Sequence, residues 1–473
     1  MQLNPAALGS ICKFADPIVP TERGATLLND ILLPVETITR ELDGKLLLAM
    51  FAAEAGFDVH IGAMNRIPEG DFGPSIYVAK SVRFAKQVKL MAQLGHKIAA
   101  WDEEGLVRFR DDIHMSRIER EAFSIPAALF SWGRSNSAIW RAHPFYNAVT
   151  IIESGNPRID LLRLELRSLH REAAERLREQ YGPFVLFNTN FSFVNHYKPQ
   201  GRKPKIARGS YDSQSYLTFK ELVDEHKRKI FRAFCDAIPE IAAAIAPRRL
   251  VIRPHPSENK AAWEQVAAGL ANVSVVYEGG VAQWLLAASC LIHNGCTSAV
   301  EAAVMKRPVL AYRPVMDAGL DFFLPNALSE NFTDVASMGA RLREILDDES
   351  AAVEDAARAA LIEEHVAALE GPFACERIVA ALQQLRKADL DRASPLSRLI
   401  AHGKLAGRNL SHMVLRQDSR YERHKGDQDQ FTAEEIAARA GQIGKVLGRF
   451  GGLSFERRMR GIVTVRNGAG AAS

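Results

Sequence analysis

Two runs of alternation between short apolar segments and helix-length amphipathic segments, separated by one charged stretch, constrain this chain more than any other feature. In the first run, Leu27, Leu28, Ile31, Leu32 and Leu33 form an apolar segment closed by Pro34, which reads as a buried strand. Residues 40–55 follow with Leu42, Leu46, Leu47, Met50 and Phe51 at helical spacing, and Gly56 stops them. Phe57, Val59 and Ile61 alternate as a second strand, and residues 81–94 read as the next helix. Residues 97–101 are a strand running into an acidic tetrad, 109–122 a helix, and 128–132 and 149–153 strands. Residues 161–180 are a charged helix with no strand beside them, a linker.

The alternation then restarts. Strands are expected at 184–187, 250–253, 273–277, 290–293 and 308–312, and helices at 219–245, 261–270, 281–288, 297–305, 338–347 and 351–369. Residues 197–211 are long, basic and Gly/Pro-containing, the composition of a loop. Strands joined by helices this long favour parallel sheets with right-handed crossovers. The expectation is α/β: two doubly wound Rossmann-like domains facing a cleft. An arm spans 1–25, the first domain 26–160, a linker helix 161–180, the second domain 181–390, and a basic helical tail 391–473.

The 473 residues, 47% hydrophobic and 25% charged, can bury large cores, which excludes collagenous, disordered and disulfide-scaffold classes. Net charge is only +4, too weak to argue for nucleic acid. From residue 391 onward there are 15 Lys/Arg against 8 Asp/Glu, +7, which leaves −3 for the rest. A basic tail on a near-neutral body suits an anionic partner such as a membrane surface, although a solvated helical face has the same composition. The five cysteines, Cys12, Cys235, Cys290, Cys296 and Cys375, are scattered without a C-x-x-C, as expected in a reducing cytoplasm. No leader pattern is evident, and the longest apolar run, 281–292, is too short to span a bilayer. The location expected is therefore cytoplasmic, with peripheral contact at the inner membrane face left open.

In open α/β sheets ligands bind at the carboxyl ends of the strands. Four such edges in the second half are polar. Arg253-Pro254-His255-Pro256 pins a His and an Arg between prolines, where they suit a phosphate or form a plain capped turn. His293-Asn294-Gly295-Cys296-Thr297-Ser298 opens a helix. There Gly295 permits close approach, and Thr297 and Ser298 offer hydroxyls beside free N–H groups, or simply N-cap the helix. Glu301, one turn in, either reaches a ribose or is simply solvated. Asn188-Thr189-Asn190 offers amides and a hydroxyl for substrate, or forms a turn. Tyr277-Glu278-Gly279-Gly280 is a turn that either passes a nucleobase or only joins strand to helix.

The order of these features, an HP turn, an E-G turn, then a Gly/Ser/Thr helix start followed by E-A-A-V-M-K-R-P-V-L-A-Y, resembles the nucleotide-binding half of GT-B glycosyltransferases. It is similar to HP-motif enzymes using CMP-linked sugars, such as bacterial sialyltransferases and Kdo transferases. UDP-N-acetylglucosamine 2-epimerase-like and CDP-glycerol transferase-like proteins share the layout. The resemblance implies that His255, Thr297 and Ser298 hold donor phosphates and that Gly295 lets them approach. Arg253, Glu278 and Glu301 complete the expected nucleotide site. In the first half, Leu33-Pro34-Val35-Glu36, Arg40-Glu41-Leu42-Asp43, the strand 57–62, the tetrad 102–105 and Gly155-Asn156-Pro157-Arg158-Ile159-Asp160-Leu161 resemble bacterial surface-carbohydrate biosynthesis proteins of capsule and lipopolysaccharide.

A transferase that inverts at the anomeric carbon needs a base for the acceptor hydroxyl. Asp102, Glu103 and Glu104 follow a strand of the domain opposite the nucleotide, and adjacent carboxylates raise one another's pKa. The E-D-G turn of β-Kdo transferases is similar and supplies such a base. Here the pattern is D-E-E-G, so the aligned carboxylate stays open among the three. Substrate contacts are expected from Asn188, Thr189, Asn190 and Arg158, with Arg313 as a further cation, a structural salt bridge being the alternative for each arginine. No metal site is expected: the D-x-D pairs Asp389/Asp391 and Asp427/Asp429 lie in or beside the tail, and helix dipoles, His and Arg can replace a metal. No cofactor is expected beyond a nucleotide-sugar co-substrate, and the partners are a nucleotide-activated sugar and a glycan or lipid-linked acceptor. The expected activity is sugar transfer, with CMP-Kdo the best single donor. UDP-sugar or CDP-alditol transfer, epimerisation, and a non-catalytic assembly role with weak nucleotide binding, which a Gly or aromatic residue filling the cleft would favour, are the alternatives.

Overall fold

The computed structural model describes residues 27–197, 213–348, 355–387, 394–414 and 432–468. The expected arm 1–25, all of the expected loop 197–211 beyond its first residue, and both D-x-D pairs lie outside the described residues.

The first sheet takes β1 (Asp30–Val35), β2 (Asp58–Ala63), β3 (Ile76–Ala79), β4 (Lys97–Trp101), β5 (Ala128–Ser131) and β6 (Thr150–Glu153) in the parallel order β2-β1-β3-β4-β5-β6. The second takes β7 (Phe184–Asn188), β8 (Arg249–Arg253), β9 (Val273–Val275), β10 (Cys290–His293), β11 (Val309–Tyr312) and β12 (Glu330–Phe332) in the parallel order β12-β11-β10-β7-β8-β9. These are the two doubly wound α/β sheets expected from the alternation. Each strand order reverses once, between β1 and β3 and between β7 and β10, and ligands favour such switch points.

Apolar strands such as Leu32-Leu33 and Leu291-Ile292 are buried on both faces because helices cover both sides. The helix Ile38–Glu54 is buried around most of its circumference, from Glu41 and Leu42 to Ala53. That explains why apolar residues crowd it beyond a single stripe.

The tail corrects the helical expectation in part. Its helices Pro395–Val414 and Ala433–Leu447 form, but the chain ends in a hairpin, β13 (Leu453–Met459) and β14 (Ile462–Asn467). β14 pairs antiparallel with β2 and extends the first sheet to eight strands. The signal was present: β-branched Ile462, Val463, Thr464 and Val465 follow a two-residue turn closed by Gly461, whose φ is +77°. Arg457 and Arg458 thus belong to an edge strand, where charge discourages further pairing.

β3 and β12 are also strands that the sequence pattern passed over, because only a three-residue 3-10 turn precedes β3 and a five-residue helix precedes β12, so neither follows a helix-length segment. The expected helix 109–122 is two short ones, Asp111–Ser116 and Arg120–Ser124. The helix Ala374–Arg386 returns to the first sheet, burying Cys375, Ile378 and Leu382 in the core that holds Phe51 and Leu46. Asp160 caps it, accepting from the amides of Ala374 and Cys375 at 2.9 Å each. No helix among the described residues is long and apolar enough to cross a membrane.

Candidate functional site

At the second switch point the ends of three strands come together. Asn188 is in register with His293 on one side and Arg253 on the other. The following turns are tied to one another: Asn190 donates Nδ2 to the Gly295 carbonyl at 3.1 Å, and Asn294 donates to the Asn190 carbonyl at 3.3 Å.

Glu258, unassigned in the sequence reading, organises this edge. Its Oε1 accepts from Thr189 Oγ1 at 2.8 Å, Phe191 N at 2.9 Å and His255 N at 3.3 Å, and its Oε2 accepts from Trp263 Nε1 at 2.9 Å. Burial raises its pKa against the pull of these donors. Thr189 therefore donates its hydroxyl to Glu258. Asn188 differs: its Oδ1 is buried and makes no hydrogen bond among the described residues.

His255 stands beside two hydroxyls. Its Nδ1 lies 2.8 Å from Ser257 Oγ and 2.9 Å from Ser192 Oγ, and it accepts from the Ser257 amide at 3.3 Å. An accepting Nδ1 places the neutral ring's proton on Nε2, making that atom a donor. The helix Thr297–Val304 begins after Cys296, which gives it no side-chain cap. Of its first-turn amides, that of Ala299 donates to the Cys296 carbonyl at 3.1 Å, and the Cys296 thiol faces the amides of Ser298 and Ala299. Gly295 precedes it at φ +84°, and a Cβ there would meet Phe322 at 3.0 Å. Ser298 Oγ contacts Cys296 Sγ at 2.7 Å. Beneath the turn lies Lys227, also missed in sequence because it sits in the charged helix Ser213–Ile245. It is 1% exposed and donates to the Asn294 carbonyl at 3.2 Å. Burial outweighs the attraction of Asp321 and lowers its pKa to about 8.

Two expected nucleotide contacts, Arg253 and Glu301, have side-chain partners within the protein. Arg253 donates to the carbonyls of Glu278 at 3.3 Å and Gly279 at 2.5 Å, so it shapes the 277–280 turn. Glu278 adds its carbonyl to this turn and takes Trp284 Nε1 at 2.8 Å, while its side chain faces solvent. Glu301 is not at a ribose position in solvent: it is buried and pairs with Arg158 at 2.6 Å. Arg313 likewise pairs with Asp321 at 2.9 Å.

The first domain presents its acidic tetrad at the end of β4, and its three carboxylates diverge. Asp102 is fully buried, accepts from Ser81 Oγ at 3.1 Å through Oδ1 and lies 3.8 Å from Arg83, while its Oδ2, like Glu103 Oε2, is buried without a hydrogen bond among the described residues. Glu104 is bound to Arg40. Burial alone would raise Glu104, but the Arg40 guanidinium, with Arg83 and Lys80, holds it at about 2. The mutual raising expected of adjacent carboxylates is overturned here by cations the primary sequence places far away. Glu103 lies 3.6 Å from Lys45 and 4.0 Å from Arg158, and its buried Oε2 makes no hydrogen bond among the described residues. Behind it, Glu41 binds Lys45 at 2.7 Å and Lys80 at 2.8 Å, which fixes both lysines at the first switch point.

Arg158 thus spans the two domains, one nitrogen toward Glu103 and the other on Glu301. Glu301 sits one turn after Thr297, so Glu103 faces the uncapped helix start across a single guanidinium. A second bridge is aromatic. Phe109 stacks on Phe322 with centroids 3.9 Å apart and meets Phe219 at 5.4 Å and Phe193 at 6.5 Å.

Burial keeps three histidines neutral. It lowers His96 and His114 to about 4, and His293, which also faces Lys227 and Arg313, to about 3. The unfolded chain binds protons on them from about pH 6.5 downward while the folded chain does not, so stability falls as pH drops from 6.5 toward 4. The expected loss is roughly 2 kcal/mol for each histidine by pH 5. Urea unfolding at pH 7.5, 6 and 5 measures it, and equal midpoints would contradict the neutral-histidine core.

No protein-family model matches this chain, and no curated protein matches it. Among solved structures it is similar to the wall teichoic acid polymerase TagF soaked with CDPG, with TM-score 0.49 and 11% identity over 76% of this chain and 88% of that one. It is similar to the UDP-GlcNAc 2-epimerase of Methanocaldococcus jannaschii in complex with UDP-GlcNAc and UDP, with TM-score 0.48 and 11% identity over 75% and 99%. It is also similar to S. aureus MnaA with UDP, with TM-score 0.45 and 12% identity over 76% and 97%. At these identities and scores the likeness says nothing of activity or substrate.

Proposed function

We propose that this chain is an inverting glycosyltransferase that uses a nucleotide-activated sugar and needs neither metal nor cofactor beyond that co-substrate. The observation that carries the reading is the Arg158 bridge, which sets an unsatisfied carboxylate of one domain opposite an uncapped helix N-terminus of the other.

In this reading Glu103 takes the proton of an acceptor hydroxyl. The hydroxyl oxygen attacks the anomeric carbon as its bond to the nucleotide phosphate breaks. The charge left on the phosphate meets the amides and hydroxyls of Thr297 and Ser298 and the Nε2–H of His255. Arg158 exchanges Glu301 for substrate oxygen, and Asn188 accepts from a sugar hydroxyl. A CMP-linked 3-deoxy-ulosonate such as Kdo is the donor proposed, on the resemblance of the HP and helix-start motifs. The acceptor proposed is a growing bacterial surface glycan or its lipid-linked precursor, in the cytoplasm.

A thermal-shift panel of CMP, UMP, CDP, UDP and GDP against wild type and His255→Ala tests this. At about 100 times the dissociation constant a bound nucleotide adds about 2.7 kcal/mol of stability. A CMP response lost in the variant supports the ulosonate donor. A UDP or CDP response redirects the donor to a hexose or alditol, and donor consumption without acceptor redirects the activity to epimerisation or hydrolysis. The contact of Phe109 on Phe322 beside Gly295 favours one second reading, a non-catalytic assembly protein with an occluded cleft. No shift from any nucleotide in a folded sample would select it.

A further inference from the structure

The helix Pro395–Val414 has two apolar faces, and only one is used. Ala401 and Leu405 are buried, and Lys404 reaches Gln93 Oε1 at 3.4 Å, which docks the helix on the helix Ala85–Gln93. On the opposite side Leu396, Leu399 and Ile400, at i, i+3 and i+4, form one stripe and are 67%, 69% and 48% exposed. No other group of three large apolar side chains at helical spacing is so exposed among the described residues.

The charge carried by the two packed helices themselves has one sign. The two packed helices carry Lys86, Lys89, Arg398, Lys404 and Arg408, and neither contains an Asp or Glu. Of these, Lys89 is paired with Glu121, and Arg398 lies over Gly95.

We propose that this face docks on an anionic phospholipid bilayer, the stripe entering the acyl boundary and the basic side chains meeting the headgroups. An in-plane helix needs this combination of exposed apolar side chains and flanking cations. A second copy of the chain fits less well, since it would bring the same cations face to face. Residues 415–431 fit less well too: they are rich in Arg, Asp and Glu and offer no apolar run to cover the stripe.

The test is co-sedimentation of the full chain with vesicles of phosphatidylglycerol and phosphatidylcholine against phosphatidylcholine alone. The expected result is binding to the anionic vesicles that weakens at least tenfold in 0.5 M salt. It weakens at least tenfold again when Leu396→Ser, Leu399→Ser and Ile400→Ser are combined, because these side chains are exposed and their loss leaves the fold intact. Lys86→Glu alone, at an exposed position, lowers binding without altering the unfolding midpoint. Equal binding to both vesicle types, or unchanged binding by the triple variant, overturns the proposal. So does a wild-type dimer in light scattering that the triple variant splits, which assigns the stripe to a second copy.

Discussion

Glu103→Gln is expected to lower sugar transfer about a thousandfold, the scale of a lost general base, while nucleotide binding stays unchanged. Gln keeps the size of the side chain and its contacts with Lys45 and Arg158, but it cannot take a proton. Glu104→Gln provides the contrast. Its carboxylate is already committed to Arg40 and held at about 2, so it is a weak base, and its loss acts through the position of Arg40. Transfer is expected to fall by about tenfold or less there, with the pH dependence of the rate unaltered. Rates measured with donor and acceptor across pH 5–9 decide this. A Glu103→Gln enzyme that retains more than a tenth of wild-type transfer would sink the assignment. Asp102→Asn separates a further case: its Oδ1 is engaged by Ser81 and lies near Arg83, so the expected loss is one of stability, and a loss of transfer in a stable Asp102→Asn protein would move the base to Asp102.

The second large effect is on folding. Glu258→Ala strands four buried donors at once: Thr189 Oγ1, the amides of Phe191 and His255, and Trp263 Nε1. Each orphaned donor costs about 1–3 kcal/mol when buried, and neighbouring losses are not additive, so the expected destabilisation is about 4 kcal/mol. Glu258→Gln is expected to lie between, because its oxygen still accepts while its amide faces donors. Urea unfolding gives both values. A loss below about 1 kcal/mol for the Ala variant would mean that water replaces the carboxylate and that Glu258 does not hold the edge. The same variant is expected to lose its response to nucleotide, since Thr189 and His255 stand on neighbouring strand ends only while Glu258 joins them.

Much of the architecture was legible because burial leaves a mark on composition. Strands covered on both faces must be apolar throughout, and helices between them must be long enough to cross. The strand Cys290–His293 and the helix start at Thr297 were therefore readable to the residue. The four polar edges were readable for the same reason, since polar residues immediately after an apolar run mark the end of the sheet. What escaped was short or distant. β3 follows β2 with no α-helix between them, so the alternation skips it, and the hairpin at 453–467 lies in a tail expected to be helical. Ala374–Arg386 could be guessed as a helix but not placed, because its partner Asp160 lies more than 200 residues earlier.

The site divides in the same way. That carboxylates end β4, and that a His and a helix N-terminus end β8 and precede the helix at Thr297, follows from residue type and local pattern alone. Which groups are available does not. Glu104 is neutralised by Arg40, Glu301 by Arg158, Arg253 by two carbonyls and Thr189 by Glu258, and every one of these partners is remote in sequence. Local propensity and hydrophobic pattern act over a few residues, so the amino-acid sequence by itself determined the two α/β sheets and the edges that carry polar groups. Electrostatic pairing and hydrogen bonding act over a few ångströms in space. Only the tertiary structure decided that Glu103 keeps an unsatisfied oxygen, that Arg158 joins it to the opposite domain, and that a buried Glu258 holds the turns in place.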